Sequence, residues 1–158
     1  MERRGAPVTA FTRISNRPIN VRCQIYTPDH IIVLDPTLLE SVDITAGFTH
    51  RGWILINSPL PPAHFHLQPF RVATVDASAI AIKYRLGPRT TPIVNTAILG
   101  AFIKISKLAS LQALQQAVTE VVPVNAQGNL AATEEAYERV VVLEPDAGNI
   151  SSMEVPCS

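Results

Sequence analysis

The chain has 158 residues, 47% of them hydrophobic, and its 13 basic side chains are balanced by 13 acidic ones. That length supports one domain with a real core, and the apolar content excludes a disordered chain. Zero net charge leaves no overall field to draw in nucleic acid or an anionic membrane, and the longest apolar runs, such as Ile31 to Leu34 and Val140 to Leu143, fall far short of the roughly 20 residues a membrane helix requires.

Pro7 to Ile14 is β-branched and aromatic with loose alternation, the pattern of a strand. Asn16-Arg17-Pro18 is a turn signal, and Ile19 to Ile25 can form a second extended piece that pairs with the first as a hairpin. His30 to Asp35 is a continuous apolar run ending in an acid, as expected of a strand buried on both faces of a parallel sheet. Pro36 starts a short helical turn through Leu38 and Leu39. Trp53 to Asn57 and Arg71 to Asp76 repeat the strand theme, each ending in a polar residue. Between them Ser58 to Pro69 is a Pro-rich surface loop with a turn of structure near His64.

The second half reads as helical. Asp76 or Ser78 caps a helix running to about Leu86 and closed by Gly87-Pro88. Pro92 opens another helix that runs to about Lys107. Ser110 caps Leu111 to Val121, where Leu111, Leu114 and Val118 recur at helical spacing. Asn125 to Val140 is a last helix, ended at or before Pro145, and residues 145–158 are expected to be a disordered tail. Strands alternating with helices, with no internal repeat and no linker, predict a three-layer α/β domain whose sheet is mainly parallel. The chain opens directly into a strand, without the strand, Gly-rich turn and helix that normally begin a doubly wound sheet. One sheet edge is therefore expected to need cover from another chain.

Glu2, Arg3 and Arg4 are followed by no apolar stretch, so no signal peptide is expected and the chain reads as soluble and cytoplasmic. Cys23 and Cys157 stand far apart and outside any C-x-x-C spacing, which favours a reduced pair over a disulfide. An iron–sulfur cluster takes four thiolates, so any electrons handled beside this chain travel on another polypeptide.

The block Glu2 to Ser15 resembles a segment in the middle of gamma subunits of 2-oxoacid:ferredoxin oxidoreductases. Gln24-Ile25-Tyr26, Val33 to Leu39, Asn57-Ser58, Val75-Asp76-Ala77, Ile80-Ala81, Pro92 to Ala97 and Leu99 to Phe102 follow in that family's order. The resemblance covers residues 2 to about 139, and Arg3-Arg4-Gly5-Ala6-Pro7-Val8 looks more like the pyruvate branch than the 2-oxoglutarate branch. Family members carry a strand and a Gly-Gly-Gln-Gly type loop upstream. Here the block begins at Met1, so residues 2–144 are expected to be a partial domain lacking one βαβ unit, on the order of 40 residues. The loop's phosphate-cradling role is expected to be missing with it.

The resemblance implies an assembly of alpha, beta, gamma and delta parts that decarboxylates a 2-oxoacid on thiamine diphosphate. It passes electrons through iron–sulfur clusters to ferredoxin and hands the acyl group to coenzyme A. It implies a supporting role for this chain, without a catalytic residue, metal or cofactor of its own. Arg3 and Arg4 can bind a coenzyme A phosphate or form interface salt bridges. Asn95 and Thr96 can contact ligand or partner across the strand C-termini, or simply cap their own helix. Asp35 and Asp76 end strands and read as turn caps before they read as a metal pair. His64 and His66, with His50, lack a matched acidic or Cys ligand for zinc. Ser41, Ser58 and Ser78 lack a glycine-flanked nucleophile elbow. Gly100, inside a helix, reads as a close-packing position. An autonomous nucleotide- or acyl-CoA-binding module and a non-functional gene remnant are the alternatives.

Overall fold

The computed structural model describes residues 8–21, 23–49 and 51–145. Three of the predicted strands form: β1 (Ile31–Val33), β2 (Trp53–Asn57) and β3 (Arg71–Val75). They lie side by side in chain order and all parallel, with Ile31 opposite Ile54 and Trp53 opposite Arg71. A fourth strand, β4 (Val141–Leu143), closes the other edge antiparallel to β3. The sequence reading saw this run as apolar but gave it no strand. Three residues are too few for a period to show, and only pairing with β3 defines them.

β2 is buried along its whole length, so its side chains serve two cores in alternation. Trp53 and Leu55, with Ala73 and Val75 of β3, face a layer of helices. Ile54, Ile56 and Val72 face the opposite way, onto Val33 and Phe48. Burying each of these aliphatic side chains contributes about 1.5–3 kcal/mol. The helical layer consists of α1 (Ala77–Lys83), α2 (Asn95–Ser106), α3 (Leu111–Val121) and α4 (Ala126–Arg139). The expected α/β architecture with a mainly parallel, helix-flanked sheet is therefore present. On the second face the cover consists of two 3-10 turns (Pro36–Glu40 and Pro62–Phe65) and loops, through Leu39, Ile44, Phe65, Leu67 and Phe70.

Local chemistry explains the helix boundaries. Asp76 Oδ1 accepts from the Ala79 N–H at 2.8 Å, and Ser110 Oγ accepts from the Ala113 N–H at 3.1 Å, so both predicted caps form. Asn125 Oδ1 does the same for the Gly128 N–H at 3.1 Å. α2 ends at Lys107, whose φ of 57° is left-handed. It packs along α4 through a row of small residues, Ala97, Gly100 and Ala101 against Ala132, Thr133 and Ala136, all buried. Gly100 is the close-packing position expected: a Cβ there would stand 1.8 Å from the Thr133 carbonyl oxygen.

The N-terminal hairpin differs from expectation. Residues 8–21 and 23–30 carry no strand. The chain bends at Asn16-Arg17, and the two limbs are tied by the Arg13 guanidinium, which donates to the Cys23 and Gln24 carbonyls at 3.4 and 3.5 Å. A two-stranded hairpin is marginal without an apolar face to pack on, and among the described residues this one has none. Among the described residues, no helix is long and apolar enough to cross a membrane. The predicted tail, from Asp146 on, lies outside the described residues.

Candidate functional site

In open α/β sheets the crevice at the strand C-termini is where ligands bind, so that end is built up first. β1, β2 and β3 end beside one another at Leu34-Asp35, Asn57-Ser58 and Val75-Asp76. Asn57, the last residue of β2, is buried and bonds both the residue after β1 and the first turn of α1. Its Nδ2 donates to the Leu34 carbonyl at 3.0 Å and to Ser78 Oγ at 2.9 Å, while its Oδ1 accepts from the Ser78 N–H at 3.2 Å. The Ser58 N–H donates to the Val75 carbonyl at 2.9 Å, and Ser58 Oγ accepts from the Leu60 N–H at 3.1 Å.

The two acids at this end are occupied in the same local way. Asp35 Oδ1 accepts from the Thr37 N–H at 3.0 Å and from Thr37 Oγ1 at 2.7 Å, and Asp76 caps α1. Each acid thus has one carboxylate oxygen engaged by its own turn or helix. The sequence reading singled out Asp35, Asp76, Ser58 and Ser78 one by one but missed Asn57, which ties Ser78 to the residue that follows β1. Its signal was an amide closing a strand that is otherwise wholly apolar.

Asn95 and Thr96 begin α2, where Asn95 Oδ1 accepts from the Thr96 N–H at 2.9 Å. Their expected position across the strand C-termini is a correction. α1 starts at Asp76 and runs away from that end, and Ile93, just before α2, donates its N–H to the Leu86 carbonyl beyond the far end of α1. α2 then runs alongside α4 in the same direction, with Gly100 against Thr133 and Lys104 Nζ donating to the Glu138 carbonyl at 3.3 Å. α4 leads into β4, whose Val141 pairs with Thr74 near the C-terminal end of β3. The α2 N-terminus therefore lies at the opposite end of the sheet from Asn57. A helix that follows a strand starts at the strand's C-terminal end, whereas α2 follows another helix and so starts at the other end.

Arg3, Arg4 and His50 lie outside the described residues. His64 and His66 are both exposed, and the ring of His64 stacks edge-on against Phe65. Among the described residues no group of three His, Cys, Asp or Glu side chains converges as a metal site would require. Cys23 is exposed and unpaired, and the chain's two cysteines do not fit the four-thiolate demand of an iron–sulfur cluster. A cavity of about 260 Å³ between the Pro62–Phe65 turn and β3–β4, lined by Leu67, Val72 and Leu143 among others, is smaller than ligand pockets usually are.

The strongest electrostatic feature lies on the helical layer. The Glu135 carboxylate accepts from Lys83 Nζ at 2.5 Å, from Tyr84 Oη at 2.8 Å and from Arg139 Nη1 at 2.9 Å. These partners, Lys83 foremost, pull its pKa down from 4.5 to about 2, and Glu135 pushes that of Lys83 up. The cluster joins α1 to α4; the sequence reading did not single it out, and its i,i+4 half, Glu135 with Arg139, is the part that spacing along the chain could signal. His30, at the entry to β1, has its pKa lowered by burial against the opposing pull of Asp29. Its Nδ1 accepts from the Trp53 N–H at 3.2 Å.

Comparison with known proteins places these features in a family. The family model described as pyruvate ferredoxin/flavodoxin oxidoreductase matches residues 1–139. The chain is 44% identical over 149 residues to the pyruvate/ketoisovalerate oxidoreductases common subunit gamma of Thermococcus kodakarensis, covering 91% of this chain and 78% of that one. It is 46% identical over 119 residues to the pyruvate synthase subunit PorC of Methanosarcina barkeri, covering 75% and 63% respectively. The crystal structure of the pyruvate oxidoreductase subunit PORC of Thermotoga maritima superposes with a TM-score of 0.66 at 26% identity, over 76% of this chain and 67% of that one. Fold, sequence and the span matched agree, and the chain belongs to the pyruvate ferredoxin/flavodoxin oxidoreductase family.

Proposed function

We propose that this chain is the gamma subunit of a thiamine-diphosphate-dependent 2-oxoacid:ferredoxin oxidoreductase that oxidatively decarboxylates pyruvate to acetyl-CoA and reduces ferredoxin. The observation that carries the reading is the 44% identity to a subunit named gamma across 91% of the chain. Within the assembly the chain is a supporting part, at work in the cytoplasm as one α/β domain of residues 2–144. Thiamine diphosphate, the iron–sulfur clusters and the coenzyme A chemistry belong to the complex formed with the alpha, beta and delta subunits. The polar groups at its strand ends are committed to Asn57, Asp35 and Asp76 contacts inside the fold. That supports a role exercised through surfaces, with Arg3, Arg4, Asn95 and Thr96 as contacts to neighbouring subunits or to the coenzyme A side.

The test is to tag the chain, express it in its native host under anaerobic conditions and identify what is recovered with it. The expected result is a large brown thiamine-diphosphate protein that reduces a dye only when pyruvate and coenzyme A are both supplied. Recovery of the tagged chain alone as a soluble monomer would refute the reading and favour a stand-alone binding module.

A further inference from the structure

Val8, Phe11, Ile14, Ile19, Val21 and Tyr26 are 44–84% exposed. Single exposed apolar residues are ordinary, but six on one short segment are a concentrated apolar surface. The segment is nevertheless fixed at its root. The backbone at Gly47 and Gly52 approaches it so closely that added Cβ atoms would stand 2.1 Å from the Tyr26 carbonyl oxygen and 1.5 Å from that of Asp29. Beyond the root, Arg13 holds the two limbs together across the bend.

Charge is concentrated on the same stretch. Residues 8–26 hold three arginines, Arg13, Arg17 and Arg22, and no acid, a net charge of +3. The other 139 residues hold ten basic and thirteen acidic side chains, a net charge of −3. An overall charge of zero thus hides a basic arm on an acidic body. Guanidinium groups pair with carboxylates in bidentate fashion, and the apolar side chains between them require an apolar counterpart. A coenzyme A phosphate would use the cations and leave the apolar residues in water.

We infer that residues 8–26 form an arm that docks in extended form onto an apolar strip rimmed by carboxylates on a different subunit of the oxidoreductase. This rests on the gamma-subunit reading above. Tagged full-length chain carrying Ile14→Asp with Arg17→Glu is compared with wild type and with Val121→Asp, whose site at the end of α3 is 76% exposed. Wild type and Val121→Asp should recover the other subunits equally, and recovery should fall with added salt. The arm variant should recover less than about a tenth as much, with an unchanged thermal unfolding curve. Hydrogen exchange on the wild-type complex reads the same point without a substitution: amides of residues 8–26 should exchange at least about tenfold more slowly than in the free chain.

Equal recovery with the arm variant, or equal exchange in complex and free chain, overturns the inference. So does loss of a homodimer in place of the hetero-complex, since the acidic body of a second copy is the rival surface. Loss of coenzyme A binding with assembly intact also overturns it, in favour of an anion-binding arm. Failure of the wild-type chain to recover any other subunit is a different result, because it removes the gamma-subunit reading as well.

Discussion

Replacing Gly100 by alanine pits helix propensity against packing. In an isolated helix the change is favourable by about 1 kcal/mol, because alanine loses less backbone entropy on folding. In this fold the new methyl carbon would stand 1.8 Å from the Thr133 carbonyl oxygen and 2.7 Å from its carbon. Carbon and oxygen normally approach no closer than about 3.3 Å, so α2 and α4 must part by on the order of 1.5 Å. The obstacle is backbone, which cannot rotate aside as a side chain would. Separation would strip contacts from Ala97, Ala101, Ala132 and Ala136, each at 0% exposure. Overpacking of this kind costs about 1–3 kcal/mol, occasionally more, and the upper end applies here. Net of propensity, Gly100→Ala should destabilise by about 2 kcal/mol, a fall in Tm of about 4–8 °C for a chain of this size. The assay is thermal unfolding followed by far-ultraviolet circular dichroism. Gly100→Ser should be worse than alanine. A variant as stable as wild type would refute the packing argument and leave the glycine without a structural reason.

Asn57→Leu keeps the side-chain volume near its original value but leaves the Leu34 carbonyl and both the N–H and the hydroxyl of Ser78 without the partner they have now. Leu34 is exposed and Ser78 half-buried, so water takes over part of what is lost, and a loss of about 1–2 kcal/mol is expected in denaturant unfolding. Glu135→Gln tests the α1–α4 ion cluster through pH. A carboxylate held at about 2 when folded and 4.5 when unfolded contributes stability that is fully present above 4.5 and lost as pH falls toward 2. Lys83 and Arg139 are more than half exposed, so the contribution is discounted to about 1–2 kcal/mol. The wild type should exceed Glu135→Gln by that amount at neutral pH, and the two unfolding curves should converge near pH 2; parallel curves across the range would refute the pairing.

What the sequence made legible was local. Asp76 and Ser110 announce helix starts because their side chains bond N–H groups three residues on, and the structure contains both bonds. The apolar run Trp53 to Ile56 of β2 announces burial on two faces. Gly100 stands out because a mid-helix glycine is costly unless something lies close. The features that escaped are non-local. β4 exists only through its pairing with Thr74, Ala73 and Val72, and the hairpin expected before β1 has suitable side chains but no surface to pack on. The cover of the second sheet face is drawn from Leu39, Phe48, Phe65 and Phe70, which share no period along the chain.

The direction of α2 shows how a topological assumption becomes a functional one. Alternation of strand and helix leads one to put every helix N-terminus at the strand C-termini, and so to put Asn95 and Thr96 in the crevice. Two helices in succession after β3 reverse the second, and its N-terminus emerges at the other end of the sheet. At the strand C-termini Asn57 bonds the residue after β1 and the first turn of α1 to the end of β2 at distances of 2.9–3.2 Å. Its amide nitrogen makes both of these donations inside the fold, and opening the bond to the Leu34 carbonyl or to the Ser78 N–H would leave a backbone group without its present partner. The Gly-rich turn that makes such a crevice bind phosphate depends on free N–H groups at a helix start, and α1 has its start occupied by Asp76. The strand ends are thereby tied together by bonds inside the fold.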